Sequence, residues 1–206
     1  MMEKTDNYQI SRDRAKTYFL NFDQEQLIRR WKLSHDEDTI WVTFLGRSYA
    51  VSRSSGGVTR CDGSEAEYSE VLSVFDLLCH EGQEKWVSHR YAPVNSLRGR
   101  PPVGVGTDFN SKIASKFDAA PEAFRRACLA LGGMPVDMGD MGFRFPLFGE
   151  LQVILKFYRA DEDFPASITL LWDENMLQFV FYETVFYIAG VLLHAIGTEM
   201  RKVENL

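Results

Sequence analysis

Three consecutive carboxylates, Asp161, Glu162 and Asp163, form the densest set of groups that could do chemistry, and Phe164-Pro165 follows directly. Carboxylates this close can hold a hard cation or divide general-acid and general-base roles. An acidic loop tip that is simply solvated is the commoner case, since turns favour such residues. The Phe-Pro pair is less ordinary, because an apolar loop tip is expected to fold back or to meet something. Asp173 is not expected to join the cluster. If the flanking runs are antiparallel neighbours, Asp163 and Asp173 lie at opposite ends of one strand, about 20 Å apart at the rise of an extended chain.

A second set is Trp86-Val87-Ser88-His89-Arg90. On a strand, Trp86, Ser88 and Arg90 face one way and Val87 and His89 the other. An Arg beside an aromatic ring can hold a carboxylate or phosphate. The plainer reading pairs the Arg with a surface carboxylate and puts the Trp in the core. Of the other histidines, His35, His80 and His194, none has the i, i+4 His pairing of a helical zinc site, and His194 is expected beside core residues. Cys79-His80 at a helix end could make a reactive thiol, although a half-buried Cys is more usual. Gly99 to Gly106 lacks the Gly-Lys-Ser/Thr ending of a phosphate loop.

The elements that must position these groups can be read from periodicity. Asp6 with Gln9 and Asp23 with Gln26 have capping-box spacing, followed by helical faces at Tyr8, Ala15, Tyr18, Phe19 and Phe22, then at Leu27, Ile28 and Trp31. Ile40, Val42 and Phe44 alternate into a turn read at Gly46-Arg47, which pairs Phe44 with Tyr49 and Val42 with Val51. Ser64 with Glu67 would open a helix carrying Val71, Leu72, Phe75 and Leu78 and stopping at Gly82. Trp86 to Tyr91 reads as a short strand, and Pro93 to Gly106 as the longest loop, a lid or linker. Pro121 suits the first turn of a helix that ends at Gly132-Gly133. Phe143 and Phe145 alternate up to a break at Pro146. The runs from Leu151 and from Ile168 pair through a bend at 160–166. A last helix runs from about Thr184 to Lys202, with Val185, Ile188, Leu192, Ile196 and Met200 inward. Helices at the ends and antiparallel strands between them predict an α+β fold in one domain over residues 1–206.

Composition narrows the classes. The 206 residues are 45% apolar and 25% charged, with a net charge of −6, which argues against nucleic acid as a partner. Three dispersed cysteines, Cys61, Cys79 and Cys128, and no apolar run behind the first residues predict a cytoplasmic protein without a signal peptide. The apolar stretch Met176 to Ile196 carries Glu183 near its middle, so a core helix is expected there and no membrane span.

Several of these segments, taken in order, resemble the uncharacterised bacterial and archaeal domain-of-unknown-function family numbered 3786. They are Asn7-Tyr8, Phe44-Leu45-Gly46-Arg47-Ser48-Tyr49, Trp86 to Arg90, Leu131-Gly132-Gly133, Gly139-Asp140 with Phe143-Arg144-Phe145, Asp161 to Pro165, and Leu171-Trp172-Asp173. The resemblance implies a soluble bacterial or archaeal protein, by association near anaerobic redox or one-carbon metabolism. Some members carry an iron–sulfur label that goes with an added cysteine-rich domain. This chain has no such domain, and three scattered thiols do not make a four-thiolate site, so an iron–sulfur cluster is not expected.

The expected function is an accessory or binding module for a small anionic ligand or a partner protein. Its face would carry Trp86, His89, Arg90, Arg98 and Arg100, with Asp140, Asp161 and Asp163 nearby. The alternatives are a metal-assisted or acid–base enzyme using Asp161 and Asp163, with Asp140 and His89 as helpers, and a homo-oligomer subunit whose aromatic surface makes the interface.

Overall fold

The computed structural model describes residues 7–81, 85–97 and 107–204. The fold is α+β, with seven helices among these residues, two antiparallel sheets and a long C-terminal helix. Two compact units divide the chain. The first comprises residues 1–85 and 178–188, the second 86–177 and 189–206.

The first unit holds helices α1 (Asn7–Leu20) and α2 (Gln24–Trp31), strands β1 (Thr39–Phe44), β2 (Arg47–Ser52) and β3 (Val58–Arg60), and helix α3 (Tyr68–Cys79). Asp23 caps α2 by accepting from the Gln26 N–H at 2.9 Å, and Asp6 lies outside the described residues. The β1–β2 turn is Leu45-Gly46, both at positive φ (48° and 72°), so glycine takes the second turn position. Phe44 therefore pairs with Arg47 and Val42 with Tyr49, two residues away from the expected register. An error of two keeps every side chain on its face, so Ile40, Val42, Phe44, Tyr49 and Val51 are all buried as expected. Helix α3 starts three residues later than the Ser64 box implies. Ser64 instead donates to Asp62, and the Glu67 N–H donates to Glu70 at 2.7 Å. On α1 only Phe19 is buried, its ring packed 5.2 Å from that of Phe75 on α3, while Tyr8 and Tyr18 are exposed.

Glu70 ties α3 to the small sheet. It is 1% exposed and accepts from Tyr49 Oη at 2.7 Å, Arg60 Nη2 at 2.6 Å and Arg60 Nε at 3.1 Å. Burial opposes its charge, but the hydrogen bonds from Arg60, the Glu67 N–H and Tyr49 outweigh that and hold its pKa below the ordinary value.

The second unit begins with β4 (Tyr91–Pro93) and the single turn α4 (Val94–Leu97), and continues with α5 (Thr107–Ala119) and α6 (Pro121–Ala130). Strands β5 (Met134–Val136), β6 (Met141–Phe148), β7 (Leu151–Tyr158) and β8 (Ser167–Asp173) complete a sheet of order β4-β8-β7-β6-β5. The last helix, α7 (Tyr182–Glu204), belongs to the first unit up to Ile188 and to the second beyond it. Alternation on β7 buries Leu151, Val153, Leu155 and Phe157 on one face. Phe124 of α6 packs there, 5.1 Å from the Phe157 ring, with Phe117 of α5 stacked behind it at 4.8 Å. The Leu151 and Ile168 runs pair as expected, Phe157 facing Ile168 and Val153 facing Trp172. Pro146 does not end β6. Strand β5 pairs no further than Arg144, so a residue without an N–H is tolerated beyond it, next to a bulge. Gly133 after α6 admits no side chain, since a Cβ there would lie 2.7 Å from the Phe145 ring.

Two further expectations fail. Residues 86–90 form no strand, because the amides of residues 88 and 89 are claimed by a side chain described below, and His194 is exposed on α7 although Leu192 and Ile196 beside it are buried. Its position on the turn, not its neighbours in sequence, sets its surroundings. Gly82 and 98–106, with most of the expected lid, lie outside the described residues.

Replacing Glu70 with Ala should destabilise the first unit by about 3 kcal/mol, since it strands a buried arginine and phenol. Urea unfolding would measure it. Because the folded-state pKa lies below the unfolded one, the carboxylate's contribution is complete above about pH 4.3 and is lost as pH falls through the folded value. The Ala variant should therefore lose less stability than the parent on acidification from neutral pH. An equal loss in both would show that Glu70 is not the linked group.

Candidate functional site

Helices α1 and α3 and the start of α7 line a half-open cavity of about 500 Å³ within the first unit. Its walls are mainly apolar, from Ala15, Leu72 and Phe75, with Phe181 and Thr184 at its α7 side. Arg14, Tyr18 and Glu81 sit at its exposed rim, and Asp76, Cys79 and His80 line it from the C-terminal end of α3.

His80 is held from four directions. Its backbone N–H donates to the Asp76 carbonyl at 2.8 Å, its carbonyl accepts from Lys85 Nζ, its ring Nδ1 meets Asp76 Oδ1 at 3.1 Å, and Phe181 packs edge-on against it at 4.6 Å between ring centres. The other oxygen of Asp76 accepts from the Phe181 N–H at 2.8 Å. Both side chains are nearly buried, with 10% of His80 and 9% of Asp76 exposed. Lys85 lies over the Trp31 and Phe179 rings, and desolvation, aided by the nearby Arg30 charge, pulls its pKa down to about 8. Burial, with Asp76 adding to it, pushes the Cys79 thiol up to about 12, so it lines the wall as a neutral SH group and not as a nucleophile. At the rim, desolvation and a hydrogen bond with Glu81 raise the Tyr18 phenol above its ordinary value. A carboxylate-oriented imidazole at an apolar wall can bind a polar head group or exchange a proton with it.

The described residues of the expected binding face lie in the second unit and divide between two ends of the sheet. At one end, Asp173 is fully buried. Its Oδ1 accepts from the Ser88 N–H (3.1 Å), Ser88 Oγ (3.0 Å) and the Asn175 N–H (2.9 Å), and its Oδ2 accepts from the His89 N–H at 2.7 Å. This carboxylate takes the amides of residues 88 and 89 and holds His89 at φ 57°, which is why no strand forms there. Trp86 is 56% exposed, not in the core, His89 is exposed, and Arg90 pairs with Glu174 at 2.8 Å. At the other end, Asp140 accepts from the Arg159 N–H at 2.8 Å, and Asp161 accepts from the N–H groups of Asp163 and Phe164 at 2.9 and 2.7 Å, so both brace loops. Asp163 and Phe164 are exposed, and Asp163 stays at the far end of β8 from Asp173, as the hairpin requires. Thus Trp86, His89 and Arg90 lie at the Asp173 end of β8, and Asp161 and Asp163 lie beyond its other end. Arg98 and Arg100 lie outside the described residues. Among the described residues no three His, Cys, Asp or Glu side chains are placed to hold a metal ion, and no helix is long and apolar enough to cross a membrane.

The Asp76–His80 pair was missed by sequence reasoning, although its signal is plain. The two residues are four apart at the end of a helix, where side chains share a face.

The fold and these sites define an α+β protein with a helix-walled cavity and no group that by itself names a reaction. The chain belongs to the family described as Domain of unknown function (DUF3786), whose model matches residues 23–195. No curated protein and no solved structure matches it.

Replacing Asp173 with Ala should free residues 88 and 89, and their amides should exchange with solvent faster than in the parent. Arg90→Ala should change stability by no more than about 0.5 kcal/mol, because its ion pair is exposed. Hydrogen exchange and urea unfolding would check the pair of variants, and a large loss in Arg90→Ala would mark a structural ion pair instead.

Proposed function

We propose that the protein is a binding module for a small molecule, and that the ligand lies in the α1–α3 cavity with its polar head at His80. One observation carries this reading: a nearly buried histidine, fixed by a carboxylate, lies at the wall of an apolar cavity of about 500 Å³. That size and lining are those of ordinary ligand pockets, in which a few placed polar groups orient a mostly apolar ligand. The anion-binding face expected at Trp86 and Arg90 has less in its favour, since Arg90 is already paired with Glu174. A cytoplasmic setting fits three free cysteines, two of them buried.

A second reading, an acid–base enzyme, is favoured by the same pair. A histidine held by a carboxylate at a cavity wall is a general-base arrangement, whereas Asp161 is occupied by its own loop. The loss of turnover but not of binding in His80→Ala would separate the enzyme from the module.

Indole serves as a first probe for the cavity. Its titration should shift the ring resonances of Phe75, His80 and Phe181 in a saturable way, and Leu72→Trp, which fills the cavity, should abolish the shifts. Shifts that survive Leu72→Trp, or that fall elsewhere, would place the ligand outside this cavity.

A further inference from the structure

Resting on the cavity-binding reading, the hydrogen bonds around Asp76 go further and set the polarity of what the cavity accepts. A neutral imidazole has one donor nitrogen and one acceptor nitrogen, and its partner decides which is which. The partner of His80 Nδ1 is a carboxylate oxygen at 3.1 Å, which can only accept. In the neutral ring Nδ1 then carries the proton, and Nε2 keeps its lone pair. The ring is not free to turn over, because Phe181 packs against it and both ends of the residue's backbone are tied to Asp76 and Lys85. The rim adds acceptors, for the Tyr18 hydroxyl is engaged with Glu81, and among the described lining residues the cation at the rim, Arg14, is exposed. The residue that offers this acceptor lines the cavity together with Phe75 and Phe181, against which a flat ring can pack.

We infer that the cavity selects a planar ligand bearing an N–H or O–H donor, which docks on Nε2 of His80 with its ring against Phe75 and Phe181. Asp76 then acts as a specificity-determining residue by orienting His80. The same geometry says what an amide at this position would do. In Asp76→Asn the Phe181 N–H still needs an acceptor, so the amide oxygen must turn toward it and the NH2 toward His80 Nδ1. Nδ1 becomes the acceptor, the ring proton moves to Nε2, and the cavity's preference inverts.

Three probes of similar shape test this: indole, with an N–H donor; 1-methylindole, with none; and quinoline, with only an acceptor. At about pH 8, the parent protein should bind indole about tenfold more tightly than 1-methylindole. In Asp76→Asn, quinoline should overtake indole. The 15N resonances of His80 in the parent should show a pyrrole-like Nδ1 and a pyridine-like Nε2, a readout that needs no variant to fold. Equal binding of indole and 1-methylindole, with both lost in Leu72→Trp, overturns the donor rule and leaves the cavity as a binding site. Reversed 15N assignments overturn the donor rule as well. No saturable shift of cavity residues by any of the three probes overturns both proposals.

Discussion

A carboxylate withdrawn from water needs a donor for each oxygen, and each unit of this protein is arranged around one that has them. In the first unit Glu70 draws in Tyr49 and Arg60 from two strands and the Glu67 N–H from its own helix, and so sets how α3 lies on the small sheet. In the second unit Asp173 draws in the amides of residues 88, 89 and 175 and gives the 86–90 segment its shape. Such groups are costly to leave half-satisfied, so they fix backbone positions that apolar packing alone would leave loose.

Asp76 applies the same constraint to a side chain that faces a cavity. One oxygen is spent on the chain entering α7 and the other on His80. The result is an imidazole whose orientation is set before any ligand arrives, which lowers the cost of binding one. The exposed acids at 161–163 differ in kind. Asp161 turns its oxygen to its own loop amides, and Asp163 faces solvent. Their density in the sequence reflects a well-made turn, as short polar side chains commonly provide.

Much of the fold was legible because periodicity reports burial directly. Leu151, Val153, Leu155 and Phe157 alternate in sequence and share a buried face, and Phe124, Ala127 and Cys128 form the inner stripe of α6. The β1–β2 hairpin was readable in its faces but not in its turn, since a shift of two residues leaves the apolar pattern unchanged. Trp86 shows the opposite failure. Its residue type argued for the core, and a carboxylate 87 positions further along the chain holds its segment outside.

Alone, the sequence determined the α+β class, the pairing of the Leu151 and Ile168 runs, and the separation of Asp163 from Asp173, because these follow from patterns within short stretches of chain. Tertiary structure decided which polar groups are buried and what they meet. The 76–80 spacing is visible on paper, but its meaning depends on Phe181, more than 100 residues away, which supplies both the ring against His80 and the N–H that claims the second oxygen of Asp76. Burial and hydrogen-bond partnership belong to the folded surroundings of a group, and no local pattern carries them.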